Sequence, residues 1–215
     1  GGMAAGEAFL ALAGPVGWAI AGVALLTSSI FMIKSINDKK HIEDVFALIS
    51  KRDVTSYELA IVELNERITR IKDESKKLHE AIDDIHSFGL DYATMTEEQQ
   101  YTLGAYVNLM SSSTQLLVNP ILGLLPKYTE EDFEKFASSE TDKEKSKWYL
   151  DYKMILVSLS NFLYKIELND RDKKLLWKTL RKNKKNLKSL GISKKEFGIE
   201  IIDAAFAALS YKYGL

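Results

Sequence analysis

Hydrophobic and polar positions divide the chain into one long uncharged stretch followed by amphipathic segments. The stretch runs from Ala8 to Ile33, and its 26 residues contain no charged side chain. As a helix rising about 1.5 Å per residue it would measure about 39 Å, more than the roughly 30 Å of a bilayer's hydrocarbon core. Because Pro15 lacks an amide hydrogen and restricts Gly14, we expect a break there, giving an apolar N-terminal helix or hairpin.

This pattern predicts that residues 1–37 form an apolar, membrane-contacting segment. Lys34, Lys39 and Lys40 follow it, so the positive-inside rule places the remainder in the cytoplasm, peripheral to or inserted at the inner face of the plasma membrane. A helix buried in a soluble bundle or oligomer is the alternative, since helices that are apolar on all faces are buried somewhere. The residues expected to insert are Val16, Gly17, Trp18, Ile20, Gly22, Val23, Leu25, Leu26, Ile30 and Phe31.

A heptad pattern dominates the next part of the chain. It predicts a helix from Lys39 to about Phe88, about 75 Å long if it is continuous, although Thr55 and Glu58 could cap a new start after a kink near Arg52. We favour a seam inside an antiparallel bundle over an intermolecular coiled coil. The seam residues are Val54, Tyr57, Ile61, Leu64, Ile68, Ile71, Leu78, Ile82 and Ile85, with Ser75 as its one polar position.

Helix-capping residues mark the later elements. Thr96, Thr129, Asn169 and Ser193 each precede a helical pattern, and residues 147–166 read as one further helix. No alternating strand pattern is present in the sequence. We therefore predict an all-α fold, an elongated helical bundle with one long heptad-patterned helix. Residues 38–215 would form this bundle, with a subdivision near 127–146.

Composition narrows the chemistry. The 215 residues include no cysteine and three histidines, and the formal net charge is −1, so disulfides and cysteine-based sites are excluded. Nucleotide-cradling glycine motifs are absent from the sequence, and we expect neither an enzyme nor a cofactor. His79, Asp83 and His86 share one helix face, but this set is too incomplete for a metal site and reads as a solvated flank.

A basic stretch is the second candidate for binding. Residues 171–195 contain eleven lysines or arginines and one aspartate. Such a cluster fits an anionic lipid surface, and a solvated face balanced by the acidic segment 130–134 is the alternative. Nucleic acid is a rival ligand, but no recognised motif accompanies the patch, so we expect none. The residues predicted to face lipid are Lys178, Arg181, Lys182 and Lys185.

Three sequence runs carry a resemblance to a known family. They are A-G-P-V-G-W-A-I-A-G (Ala13 to Gly22), T-E-E-Q-Q-Y-T-L-G-A-Y-V-N (Thr96 to Asn108) and a Leu-Leu-x-Asn-Pro run ending at Pro120. Together with the heptad helix between them, they resemble the helical, membrane-associating region of bacterial dynamin-like proteins of the labile-enterotoxin-output type. The resemblance covers about Ala8 to Ile121. It implies a bundle stalk whose apolar tip contacts lipid and serves a GTPase, a domain that this sequence lacks.

These observations favour a membrane-associated helical module that supports remodelling or sensing of a bilayer. The expected partners are anionic membrane lipids and either further copies of the chain or a partner GTPase. Two other classes fit the sequence: a pore-forming toxin or effector that shelters an apolar hairpin, and a soluble scaffold that buries the apolar segment in a partner or oligomer. The toxin class needs two spanning arms, and residues 8–13 are too short for one unless more sequence precedes them.

Overall fold

The computed structural model describes residues 35–214, apart from the side chains of residues 185 and 186. The predicted N-terminal helix or hairpin and its membrane-inserting residues, from Val16 to Phe31, lie outside the described residues. All regular structure in the described range is helical, which confirms the predicted all-α class. Its α-helices are α1 (Ile36–His86), α2 (Glu97–Val118), α3 (Glu130–Ser139), α4 (Lys143–Asp151), α5 (Lys153–Leu163), α6 (Asp170–Lys182), α7 (Lys184–Ser189) and α8 (Ile199–Tyr213), with 3₁₀ turns at Tyr92–Thr94 and Leu122–Leu124.

Three predicted helix starts are confirmed. The Thr96 hydroxyl accepts a hydrogen bond from the Gln99 amide, and the Gln99 side chain accepts one from the Thr96 amide, so α2 opens with a capping box. The same reciprocal pair joins Thr129 to Asp132 at the start of α3. Asn169 caps α6 through the amide of its third residue. These caps satisfy amide groups that have no partner within the helix.

Other predicted boundaries are wrong. Residues 147–166 do not form one helix, because the backbone leaves the helical region at Tyr152, where φ is −108° and ψ is 19°. The Ser193–Glu196 capping pair forms, but α8 begins only at Ile199, after an extended Gly198. Conversely, α1 continues through Arg52, since the Thr55 hydroxyl donates back to the Lys51 carbonyl at 3.0 Å instead of capping a new start.

The described residues form two compact units. One unit joins the start of α1, up to Thr55, to the segment from Leu125 onward, and it has an apolar core where α8 packs on α5, α3 and α6. The Arg52 side chain closes the C-terminal end of α5 in this unit by donating to the carbonyls of Phe162 and Tyr164. The largest fully buried side chains of the core include Ile42, Ile49, Tyr128, Phe133, Leu156, Leu163, Leu176, Phe197, Ile201 and Ile202.

The other unit, Ser56–Leu124, is a hairpin of two antiparallel helices. The second part of α1 runs alongside α2, and cross-pairs fix the register. The Tyr106 hydroxyl donates to Asp84 at 2.8 Å, and the Ser113 hydroxyl donates to Glu74 further along the pair. Because α2 has no fully buried residue, this unit lacks the apolar interior of its neighbour.

On α1 of the hairpin, the buried residues are neighbours of the predicted seam residues and not the seam residues themselves. Its best-buried residues are Ala60, Glu74 and Ala81, at most 7 % exposed. Residues of the predicted seam remain open to solvent: Val54, Ile61, Leu64, Ile68 and Ile82 are between 39 % and 60 % exposed. Hydrogen bonds from Ser113 to Glu74 and from Tyr106 to Asp84 place α2 beside that face. The expectation of a seam buried inside an intrachain bundle is therefore wrong for these five residues.

Candidate interaction surface

Most of α2, one of the two helices of the hairpin, is exposed and uncharged. After Glu98, α2 has no ionisable acidic or basic side chain through Val118, a run of twenty residues. Large apolar side chains on this helix are exposed, among them Val107 at 50 %, Met110 at 54 % and Leu117 at 70 %. Surface helices of soluble domains carry charged residues on the face opposite their core. An uncharged, exposed helix of this kind is typical of a surface that another molecule covers.

Apolar residues on both helices fall on one face of the hairpin. On α1 the positions that face α2 recur every seven residues. The next position in the chain is apolar at Ile61, Ile68 and Ile82. On α2 the interface includes Tyr106 and Ser113, and the apolar Val107 follows Tyr106 by one position, whereas the polar Thr114 follows Ser113. Two antiparallel helices are related by a two-fold axis perpendicular to the plane that contains both. Residues that follow the interface positions by the same offset on each helix therefore lie on the same side of the hairpin. We call this set the apolar face: Ile61, Ile68 and Ile82 of α1 with Leu103, Val107, Met110 and Leu117 of α2.

A cavity at the loop end of the hairpin joins the two stripes. Its volume is about 610 Å³, and its wall includes Ile82 from α1 together with Leu103 from α2. Phe88, Leu90 and Met95 of the connecting loop complete an apolar lining. Residues from both helices therefore border one depression, which agrees with their placement on a common face.

Outside the apolar face the hairpin exposes many polar side chains, together with apolar ones such as Leu59 and Val62 of α1. Arg70, Lys77 and Asp84 follow one another at seven-residue intervals on α1, and Asn108 and Gln115 do so on α2. All five are exposed. The hairpin is thus amphipathic, with a charged and amide-bearing side distinct from the apolar face.

Polar contacts hold the two helices in register. The Glu74 carboxylate accepts from Ser113 and from Arg70, and these hydrogen bonds hold its pKa below the ordinary value. At the other end, Arg67 donates to the Pro120 carbonyl at 2.7 Å, while Glu63 accepts from the Leu122 amide at 3.0 Å. The Arg67 bond satisfies a carbonyl just beyond the C-terminal end of α2, and the Glu63 bond satisfies an amide of the following turn, so the apolar face rests on a specifically fixed pair of helices.

The turn after α2 comes very close to α1. A Cβ atom added at Gly123 would lie 3.0 Å from the Ser56 carbonyl oxygen and 3.1 Å from the Ala60 Cβ. A side chain at this position would make unusually tight contacts, so glycine suits this approach. The hairpin is therefore closed at the end opposite its loop.

The predicted basic patch is only partly available to a ligand. The Arg181 guanidinium lies 5.0 Å from the centre of the Trp177 ring, and its Nε donates to the Lys194 carbonyl at 3.0 Å. Trp177 in turn donates to the Phe197 carbonyl at 2.9 Å, so this stack belongs to the fold. Lys178 and Lys182 are exposed on α6. The Lys185 side chain lies outside the described residues.

The acidic helix α3 pairs elsewhere in its own unit. Lys153 contacts Glu130 at 2.8 Å and Glu134 at 2.9 Å, and Lys212 contacts Asp132 at 2.6 Å. The sequence alternative in which α3 balances the basic patch therefore receives no support from these ion pairs.

Two other expectations concern metals and membranes. His79 Nδ1 lies 2.8 Å from the Ser75 carbonyl on its own helix, and within residues 35–214 no group of three or more candidate ligands is placed to hold a metal ion. No helix in the same range is both long and apolar enough to cross a bilayer. The residues predicted to insert precede that range.

Comparison of the chain with protein-family models, with curated proteins and with solved structures finds no match. The similarity to bacterial dynamin-like proteins therefore stays a prediction. What sequence reasoning missed is the α2 stripe, Leu103, Val107, Met110 and Leu117, although two signals mark it: steps of four, three and seven, and twenty residues without charge.

Proposed function

We propose that this chain is a membrane-associated helical module that inserts its apolar N-terminal segment in a bilayer and supports membrane remodelling or sensing. The observation that carries the proposal is the uncharged run of 26 residues from Ala8 to Ile33. A run of this length and composition partitions favourably into hydrocarbon. In keeping with the resemblance to dynamin-like proteins, the energy-consuming step would belong to a GTPase located outside this sequence.

The distribution of charge supports attachment to an anionic surface. Basic residues are concentrated in residues 171–195, where eleven lysines or arginines stand against one aspartate. The exposed Lys178 and Lys182 lie on α6 within that stretch. Each lysine near an anionic leaflet adds about 1 kcal/mol of attraction, so this region would assist a single inserted segment.

Flotation of the full chain with anionic liposomes tests the proposal. Gly22→Asp places a charge within the apolar run, where it opposes insertion by about 2.5 to 3.5 kcal/mol, and we expect it to abolish flotation. Gly104→Asp is the matched control, because a side chain at Gly104 on α2 meets nothing within 4 Å. Undiminished flotation of Gly22→Asp, or equal loss in both variants, would contradict insertion of this segment.

The exposed hairpin favours one alternative, a soluble interaction scaffold. In that case the chain would stay in solution beside liposomes and would elute with a protein partner or as an oligomer. Release of a trapped dye from the same liposomes separates the remaining class, a pore-forming toxin, from the proposed module. The module binds without releasing dye, whereas a pore releases it.

A further inference from the structure

We propose that the apolar face of the hairpin, Ser56–Leu124, is a self-association surface on which the same face of a second copy of this chain packs. The two hairpins would form a four-helix arrangement related by a two-fold axis. This inference is independent of membrane insertion, since it rests only on the described residues of α1, α2 and their connections.

The spacing of the exposed residues indicates that the occupant is a pair of helices. On α1, Ile61, Ile68 and Ile82 stand at multiples of seven residues, and on α2 the steps are of the same heptad kind. Heptad stripes supply side chains that insert between those of a facing helix. The two stripes lie side by side on one hairpin, so a matching hairpin engages both at once.

Charge disfavours an anionic membrane as the occupant of the apolar face. The unit Ser56–Leu124 contains eleven aspartates or glutamates and five lysines or arginines, a net charge of −6 with neutral histidines. Acidic residues repel an anionic leaflet. On the apolar face itself no member carries a charge, so two copies can meet there without opposing like charges.

The size of the face is sufficient for a stable dimer. The 22 residues of α2 extend about 33 Å, and two helices side by side are about 20 Å wide. A face of these dimensions covers about 650 Å² on each copy, or about 1,300 Å² for the pair. Specific protein interfaces bury about 1,200 to 2,000 Å² in total, so the estimate falls within that range.

A two-fold contact uses the same patch on both copies, which makes the proposal simple to test by cross-linking. Because the natural chain has no cysteine, each introduced cysteine is unique. Val107→Cys and Met110→Cys place the thiol on the apolar face, and Asn108→Cys and Gln115→Cys place it on the polar side of the same helix. The full-length variants are treated with a short bis-maleimide, in buffer and bound to liposomes.

We expect the two apolar-face variants to give at least a fivefold higher yield of cross-linked dimer than the two polar-side variants. A second measurement reads the mass of the uncross-linked chain by sedimentation velocity. Val107→Lys combined with Met110→Lys should halve the mass, whereas Asn108→Lys combined with Gln115→Lys should leave it unchanged. Circular dichroism checks that all variants keep their helix content.

Several results would overturn the inference. They are a monomeric natural chain, equal cross-linking from both sides of α2, and a mass that the apolar-face lysines leave unchanged. The last result would assign self-association to another surface, such as the apolar N-terminal run. A cross-link found only on liposomes and abolished with Gly22→Asp would likewise assign the contact to crowding on the membrane. A failure of flotation does not change the cross-linking or the sedimentation results. Membrane insertion and self-association can therefore be rejected independently of each other.

Discussion

Arg52 Nη1 donates a hydrogen bond to the backbone carbonyl of Tyr164 at 2.6 Å, so a side chain of α1 closes the C-terminal end of α5. The same atom donates to the Phe162 carbonyl at 2.8 Å, and the Arg52 side chain is 13 % exposed. Carbonyls at a helix end have no partner within the helix, and a cation also suits the negative end of the helix dipole. This one residue thus links two helices that are far apart in sequence.

Arg52→Met keeps the aliphatic length of the side chain and removes its donors. We expect the free energy of unfolding to fall by about 2 to 4 kcal/mol, because two partly buried carbonyls and the Asp53 carboxylate lose a charged partner. Chemical denaturation followed by circular dichroism measures the change. Lys51→Met is the control, because Lys51 immediately precedes Arg52 in α1 and its side chain is exposed. Equal stability of the two variants would contradict a structural role for Arg52.

Two glycines of the hairpin should respond to alanine with opposite signs. Gly104 lies in α2 with open space around it, and alanine there should stabilise the hairpin by about 0.5 to 1 kcal/mol through its higher helix propensity. At Gly123 the new Cβ would lie 3.0 Å from the Ser56 carbonyl, so alanine should destabilise it. Thermal unfolding of both variants beside the natural chain tests this. Stabilisation by Gly123→Ala would contradict the close approach of turn and helix.

Local chemistry made much of the fold predictable. Thr96, Thr129 and Asn169 cap helices where expected, because a cap depends on residues three positions apart in the chain. The break at Tyr152 was not predictable, since apolar residues continue in helical spacing on both sides of it. A pattern of hydrophobicity gives the type of element more reliably than its ends.

The covered face of α1 was harder to predict, for a physical reason. A hydrophobicity pattern ranks Ile61 and Ile68 above Ala60 and Glu74, yet the structure covers the latter pair. The Ser113 hydroxyl of α2 donates to the Glu74 carboxylate. This hydrogen bond cannot be predicted before the partner helix is known. The sequence does contain the apolar pattern, but α2 leaves Ile61, Ile68 and Ile82 exposed.

Glu74 should make the stability of the chain depend on pH. Hydrogen bonds from Ser113 and Arg70 lower its pKa from an ordinary value of 4.5. A carboxylate whose pKa is lower in the folded state stabilises that state above its unfolded pKa. This contribution is therefore present above about pH 4.5 and is lost as the pH falls through the lower, folded value.

Glu74→Gln removes the titrating group and keeps its shape. We expect the variant to be less stable than the natural chain at neutral pH, with a smaller decline in its free energy of unfolding as the pH falls below 4.5. Denaturation series at several pH values measure both quantities. Glu58→Gln, at an exposed position of α1, controls for the loss of one negative charge. Parallel pH profiles for the natural chain and Glu74→Gln would contradict the assignment.

The basic patch should divide into residues that bind lipid and one that supports the fold. Lys178 and Lys182 are exposed, so Lys178→Gln combined with Lys182→Gln should weaken binding to anionic liposomes by about 10- to 30-fold, at about 1 kcal/mol for each charge. The effect should shrink in high salt, because exposed charges are screened. Arg181→Gln should instead lower thermal stability, since it loses the Trp177 stack and the Lys194 carbonyl. The reverse pattern, with Arg181→Gln weakening binding at unchanged stability, would show that the guanidinium leaves this stack to contact lipid.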